Sequence, residues 1–393
     1  MGVALRIVVI SHEFPPYFFG GGGTYALDLA RALLRRGHDV IVVAGRATRP
    51  VWQSDDALPV LRLNVPDFKP RHLWFQLMNR DEIIRVARTA DVVHALPVSA
   101  SLLVERIVSD LGKVVVATVD GSFRAMLRAT LNLPFPQAAT EILSNLVASP
   151  LHVYMSDLDA KKSSHLAVQS EHVRTEMLSV HGRRVLSKTS IIPGAIDFEA
   201  LRFVLPLHEL SSACRRVLFV GRLYWTKGVV HAVEAIRYLV QQEKIRDVTL
   251  TIVGKGPVRS RVISIIKRYK LAPFVNLVGH LPRSATLRLM ADSDALILPS
   301  LYESCPRVLL EAKAIGLPTV LFDFPWTREF ANLGIKSEMA EPLNSIDLAH
   351  KMLAACSQPR IQHGCLNELA AFDMNGVTEK LVDIYSQLVR GTS

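Results

Sequence analysis

The chain has no hydrophobic run long enough to cross a bilayer. Its longest apolar stretches, such as "VVVATV" and "DALILP", stay under ten residues, far below the roughly 20 that a spanning helix needs. A secretory leader is not expected either. "MGVALRIVVISHEFPP" has no small-residue cleavage site and reads as a first strand, and "MGVALR" lacks the Ser or Thr of a myristoylation signal. Cysteine is scarce: four residues, at 214, 305, 356 and 365, form no C-x-x-C and are joined by no histidine cluster. That excludes a structural zinc frame and leads us to expect reduced thiols in a cytoplasmic protein. Cys305 reads as a small residue in a motif, not a nucleophile. No helix-turn-helix, zinc finger or RNA-binding signature is present, so the net charge of +10 is not assigned to nucleic acid. A phosphate-bearing ligand or an anionic membrane surface is the expected partner. Two D-x-D triplets occur, Asp157–Asp159 in what reads as a polar loop and Asp292–Asp294 just before a strand. Neither is expected to hold a metal.

What is present is a globular chain, 49% hydrophobic and 21% charged, whose 393 residues suit two domains. The first half alternates β-branched runs ("ALRIVVIS", "HDVIVVAG", "DVVHAL", "KVVVATV", "HLAVQS") with helical stretches. Strands that are apolar on both faces suit a parallel sheet covered by helices. The helix "TYALDLARALLRRG" has Thr24 as its expected N-cap and stops at Gly37. The pattern restarts at "RRVLFVGRL" and runs through "VTLTIVG", "VNLVGH", "ALILPS" and "LPTVLFD". The expected fold is α/β, two doubly wound Rossmann-like domains facing a central cleft. We expect domain 1 over residues 1–204, domain 2 over 205–372, and a last helix over 373–393 that crosses back to the first domain. Ligands of open parallel sheets lie at the carboxyl ends of the strands.

Three constellations sit at such ends. Four glycines, Gly20 to Gly23, join the first strand to a helix, where backbone N–H groups favour an anion; Gly22 and Gly23 are expected to bind phosphate or let a substrate approach. Arg222 and Lys227 in "VGRLYWTKG" follow a buried strand and can clamp a diphosphate. In "YESCPRVLLEAKAIG", Pro306 fits the first helical position and Ser304 or Cys305 the cap, so the N–H groups of Arg307 and Val308 face the ligand. Glu303 precedes that helix and Glu311 lies within it among leucines and alanines. A buried glutamate with no cation nearby is costly, and a ligand bearing hydroxyls explains the pair.

In this order and spacing, "PPYFFGGGGTYALDLARALLRRGHDV", "DVVHA", "IIPGAID", "VGRLYWTKG", "IVGKGP" and the E-x(7)-E motif resemble the retaining glycosyltransferases of family 4, which have the GT-B fold. The resemblance covers nearly the whole chain. It implies a nucleotide diphosphate sugar as donor substrate, with no further cofactor, and a glycan or lipid-linked acceptor held mostly by the first domain. Arg222 and Lys227 match the diphosphate clamp. Glu303 matches the residue that bonds the donor sugar, Glu311 the one that bonds the ribose, and Gly254 with the backbone at Leu281 the wall against the base. Asp120, which ends the strand "KVVVATV", stands where the family usually has a histidine near the reaction centre. It is expected to be catalytic together with Glu303. Departures from the family pattern are Ser304 and Pro306 in place of glycines, and Leu96 in place of the second histidine of H-x-H. A non-catalytic GT-B binding protein and a sugar-nucleotide epimerase are the alternatives; nucleotide release from a donor separates an enzyme from a binder. Segments "FKPRHLWFQLMNRDEIIRVAR" and "SFRAMLRATLNLPF" mix cations with large apolar side chains and are expected to meet an anionic membrane.

Overall fold

The computed structural model describes residues 4–17, 21–47, 50–55, 57–66, 68, 70–121, 123–201, 214–359 and 367–392. The chain forms two compact units: residues 1–127, 144–196 and 372–393 in the first, and 128–143 with 197–371 in the second. The expected boundary near residue 205 lies outside the described residues, as do Gly20, Lys69 and Cys365 and the side chain of Arg124. Residues 128–143, read from sequence as part of the first domain, group with the second unit. Nothing in their composition marks that excursion.

The first unit carries an eight-stranded sheet, ordered β3-β4-β2-β1-β5-β6-β7-β8. Its strands are β1 (Arg6–Ser11), β2 (Asp39–Ala47), β3 (Val51–Asp55), β4 (Leu58–Asn64), β5 (Val92–Ala95), β6 (Val114–Val119), β7 (His165–Val168) and β8 (Thr189–Ile191). All pair in parallel except β3, which runs antiparallel to β4 as an edge hairpin. The helices are α1 (Gly21–Arg35), α2 (Arg71–Met78), α3 (Arg80–Ala87), α4 (Phe123–Leu131), α5 (Ala139–Lys162) and α6 (Glu171–His181). Strands β1, β5 and β6 are buried along nearly their whole length because helices cover both faces.

Helix α1 starts one turn earlier than its sequence suggests. Gly21, Gly22 and Gly23 form its first turn, so Thr24 lies inside the helix and does not cap it. Its end follows the expectation. Gly37 takes φ +82°, and the N–H groups of Gly37 and His38 donate to the carbonyls of Leu34 and Leu33. This pair of bonds satisfies the last carbonyls, and the left-handed residue between them favours glycine.

The second unit has a six-stranded parallel sheet, ordered β11-β10-β9-β12-β13-β14. The strands are β9 (Arg215–Val220), β10 (Val248–Val253), β11 (Val275–Gly279), β12 (Ala295–Leu298), β13 (Thr319–Phe322) and β14 (Glu338–Ala340). Helices α7 (Phe198–Leu201), α8 (Val229–Gln241), α9 (Arg259–Arg268), α10 (Arg283–Ala291), α11 (Arg307–Ala314), α12 (Thr327–Ala331) and α13 (Ser345–Cys356) accompany them. The last helix, α14 (Met374–Thr392), belongs to the first unit, where Met374, Val377, Leu381 and Tyr385 join the core that α1 builds on β1.

The strand order reverses between β1 and β5 in the first sheet and between β9 and β12 in the second. Such switch points open a crevice at the carboxyl ends of the two strands, where their loops diverge to opposite faces.

Candidate functional site

The second unit's switch point is built by the loops that leave β9 and β12. Leu223 N–H donates to Lys255 O (2.9 Å) and Gly221 N–H to Val253 O (3.0 Å), which pin the first loop to the end of β10. Gly254 sits there with φ +143°, and a Cβ on it would fall 1.8 Å from Gly221 O. Only glycine fits at that position. Gly228 is equally constrained: at φ +71° a Cβ would lie 1.9 Å from Pro299 O, the first residue after β12. A further bond, Leu301 N–H to Thr226 O (2.9 Å), ties the two loops directly. Close approach without side chains is how this sequence brings two strand ends into register.

Between them runs a short 3-10 turn, Trp225–Lys227. Lys227 Nζ reaches Glu303 Oε1 at 2.7 Å, with both side chains less than one-fifth exposed. Arg222, at the mouth of the same loop, is exposed and its guanidinium lies 5.5 Å over the Tyr224 ring. The cation–π contact aligns the planar fork and leaves its edge for an anion.

Glu311 is buried on α11, and here the sequence reading is corrected. It is not without a cation: Arg283, the first residue of α10, approaches Glu311 Oε1 through Nε at 3.1 Å. Lys313, two residues along, is fully buried and serves elsewhere, donating to the carbonyls of Ala331 (3.1 Å) and Leu333 (2.8 Å) and to that of Ile335. No local signal singled out Arg283, since α2, α3, α9 and α11 also open on an arginine. A second correction concerns the start of α11: Pro306 occupies the cap position, with φ −78° and ψ 89°, and the helix begins at Arg307. Pro306 itself makes no side-chain cap bond. Cys305 is buried. Arg307 and Val308 stand in the first turn, Ser304 in the loop before it, and Leu281 follows β11 in the loop that leads to Arg283.

Sequence reasoning missed Glu141. Its carboxylate accepts from Trp225 N–H (2.8 Å, Oε2) and Thr226 N–H (3.1 Å, Oε1), the two donors that begin the 3-10 turn. It is the sole Asp, Glu, Lys or Arg between Arg128 and Asp157, and a lone carboxylate in an apolar stretch is the signal that could have found it.

In the first unit, Asp120 ends β6, exposed and followed by Gly121 at φ +140°. Gly22 and Gly23 lie in the first turn of α1, where Gly22 approaches Glu13. The switch point between β1 and β5 holds a neutral pair that the sequence did not reveal: His12 Nδ1 is 2.8 Å from Ser99 Oγ. His72, on α2, lies between His12 and His152, edge-on to the first and tilted to the second, with ring centroids 5.7 and 4.5 Å away. Burial, reinforced by its two neighbours, pushes the His72 imidazole down to about 3, and its Nε2 is buried with no hydrogen-bond partner. His94 on β5 is also held down at about 3 by burial; it contacts the Tyr385 hydroxyl, and its Nε2 lies 2.7 Å from Thr118 Oγ1. The D-x-D triplet at 157 is helical, not a loop. Asp159 is buried on α5 and accepts from Ser101 Oγ (2.6 Å), while Asp157 pairs with Lys161. Among the described residues no group of three or more His, Cys, Asp or Glu is arranged to hold a metal.

A family model for glycosyl transferases group 1 matches residues 209–368, and one for glycosyltransferase family 4 matches residues 19–200. The chain belongs to glycosyltransferase family 4. The Mycobacterium tuberculosis glycogen synthase is 25% identical over 98% of this chain and 96% of its own length. An Escherichia coli relative, UDP-Gal:alpha-D-GlcNAc-diphosphoundecaprenol alpha-1,3-galactosyltransferase, is 26% identical over 51% of this chain and 55% of its own. Among solved structures, Anabaena HepE in complex with UDP and glucose superposes with a TM-score of 0.70 at 16% identity, covering 98% of this chain and 100% of that one. Sucrose-phosphate synthase of Thermosynechococcus elongatus gives 0.76 at 18%, with coverage of 98% and 99%. This family 4 glycosyltransferase therefore has the two-domain GT-B fold that the family resemblance implies, built from the two doubly wound halves expected from its strand pattern.

Proposed function

We propose that the chain is a retaining hexosyltransferase that moves a sugar from a nucleotide diphosphate donor to a glycan or lipid-linked acceptor. The observation that carries this reading is the Lys227–Glu303 pair at the β9/β12 switch point, with Arg222 at its mouth. Arg222 and Lys227 hold the diphosphate, Glu303 the hydroxyls of the donor sugar, Glu311 the ribose, and Gly254 with Leu281 the base. Gly22 and Gly23, in the first turn of α1, complete the donor-binding residues of this reading. The relatives support this acceptor class: one is a glycogen synthase and one is named for a diphosphoundecaprenol acceptor.

In the transfer, the bond from the anomeric carbon to the diphosphate oxygen breaks. The acceptor hydroxyl oxygen bonds to that carbon on the same face, and its proton passes to the departing diphosphate. Arg222 and Lys227 stabilise the charge that builds on the leaving group, which is why we propose a metal-independent reaction. Asp120 stabilises the positive charge at the anomeric carbon. Ser304 and the first turn of α11, at Cys305, Arg307 and Val308, border the same phosphates. The acceptor's hydroxyls are met by neutral donors and acceptors at the first unit's switch point, His12 and Ser99.

We also place a face of the protein at an anionic membrane. Leu143, Leu146, Val147, Val153 and Tyr154 form an exposed apolar stripe at helical spacing along α5, which ends in the exposed Lys161 and Lys162. No helix among the described residues is long and apolar enough to cross a membrane, so the contact is with the surface.

The test is nucleotide release with a panel of UDP-, GDP- and ADP-sugars, with and without maltooligosaccharide or polyprenyl-diphosphate-sugar acceptors. We expect one donor series to turn over and the product's anomeric configuration to match the donor's. A donor that binds and is never consumed would reduce the protein to a binding module. Flotation with anionic liposomes, lost at high salt, tests the membrane contact.

A further inference from the structure

We infer that Glu141 is a positioning residue for the diphosphate-binding loop. The inference rests on the reading of residues 222–227 as the donor's diphosphate site. Glu141 lies in the first turn of α5, within the stretch 128–143 that groups with the second unit. It is buried, and both of its oxygens are engaged by backbone: Oε2 by Trp225 N–H at 2.8 Å and Oε1 by Thr226 N–H at 3.1 Å. Bonds from N–H groups to a carboxylate are about twice as strong as neutral ones.

The next residue along the turn is Lys227. Its backbone is fixed by its own N–H bond to Tyr224 O (3.1 Å) and by Gly228, which has no room to move against Pro299. The Thr226 carbonyl is taken by Leu301 N–H. The turn is thus gripped on its N–H side by Glu141 and on its carbonyl side by the loop after β12. The carboxylate has a second effect. Two adjacent N–H groups at the start of a turn attract anions, and Glu141 fills that position. A diphosphate entering the loop is left with Lys227 and Arg222 as its cationic partners, which sets its register relative to Glu303. Chain segments far apart in sequence, 141 and 225–227, therefore build one anion site between them, with one half supplying the scaffold and the other the charge.

The experiment compares the full chain with Glu141→Ala and Glu141→Gln. Calorimetric titration with UDP, UMP and uridine (or the guanosine or adenosine series, whichever the donor panel selects) gives the affinities. Steady-state kinetics with the matching donor gives kcat and KM, and a thermal melt checks the fold. We expect Glu141→Ala to weaken the nucleoside diphosphate at least ten-fold and the free nucleoside less than two-fold, with kcat/KM falling in step. Glu141→Gln keeps one oxygen acceptor and should lie between. A diphosphate affinity and kcat/KM like wild type in both variants would overturn the inference and leave the proposed function standing. Equal loss for diphosphate and nucleoside, or collapse of both variants in the melt, would make Glu141 a structural residue and overturn it too. Failure of the wild type to bind any nucleoside diphosphate would sink the proposed function itself.

Discussion

The two sheets solve the same topological problem with opposite chemistry. At the β9/β12 switch point the side chains that bridge the two loops are an ion pair, Lys227 with Glu303, and a second pair, Arg283 with Glu311, stands beside it. At the β1/β5 switch point the bridge is neutral, His12 with Ser99, and the groups behind it are imidazoles that burial keeps uncharged. The cation of a charged pair can exchange its carboxylate for an anion. A neutral pair brings no net charge to an anion, but it can exchange hydrogen bonds with hydroxyls. The contrast matches the proposed division of substrates, a diphosphate on the second unit and a sugar acceptor on the first.

The largest effect should come from removing the charge at the second switch point. With Arg222 and Lys227 both changed to Ala, kcat/KM for the nucleotide sugar should fall by at least 100-fold, because losing Lys227, a charged partner less than one-fifth exposed, costs about a few kcal/mol and the exposed Arg222 adds to it. Donor affinity in the wild type should also weaken as salt rises, while acceptor KM stays flat. A double variant with full activity would remove the reading of this loop. A salt-sensitive acceptor KM would erase the contrast between the two ends.

Next in size is Asp120, the acidic residue that ends β6. Asp120→Asn should lower kcat ten-fold or more with little change in donor affinity, the pattern of an interaction made mainly in the transition state. Asp120→His should retain more activity than Asp120→Ala. Wild-type turnover in Asp120→Ala would make it a turn residue. Smaller again is the neutral bridge: Ser99→Ala should raise acceptor KM several-fold and leave donor KM unchanged, and the reverse pattern in steady-state kinetics would reassign His12 and Ser99.

How much of this was legible beforehand follows from the range of each interaction. The strands β1, β2, β5, β6, β7, β9, β12 and β13 announced themselves because burial on both faces writes a continuous apolar run, and β10 and β11 were legible from their β-branched residues although β11 is partly exposed. The hairpin β3–β4 did not, since "VWQSDDALPVLRLN" mixes charge with apolar residues as an edge does. Lys227 and Glu303 could be named from local motifs, but their contact across 76 positions could not. Arg283 and Glu141 are each set by partners far away in sequence, and the histidine cluster joins β1, α2 and α5. Side-chain pairs of this kind depend on strand order, which periodicity does not encode.

The smallest expected effect is on stability, and it separates the units by pH. His72 and His94 are held at about 3 in the fold, against an ordinary value of 6.5. Between those limits the unfolded chain binds more protons than the folded one, so stability is full above 6.5 and falls as pH drops through the window. The slope is at most about 1.4 kcal/mol per pH unit for each histidine. Asp159 acts the other way. Burial raises it from 3.8 to about 7, with Ser101 opposing, so the folded state binds more protons between those values and this contribution improves as pH falls. All three groups lie in the first unit, whereas among the described residues of the second His231 is the one histidine that burial lowers. Acidification from pH 7.5 to 5 should therefore lower the first unit's melting transition more than the second's. Asp159→Asn keeps an oxygen to accept from Ser101 and removes the opposing contribution. It should raise Tm above pH 7, change it little near pH 5, and so steepen the first unit's acid sensitivity. Differential scanning calorimetry at pH 5, 6, 7 and 8 reads both slopes. Parallel shifts of the two transitions, or an unchanged slope in Asp159→Asn, would show that the neutral buried cluster of the first unit does not govern its response to acid.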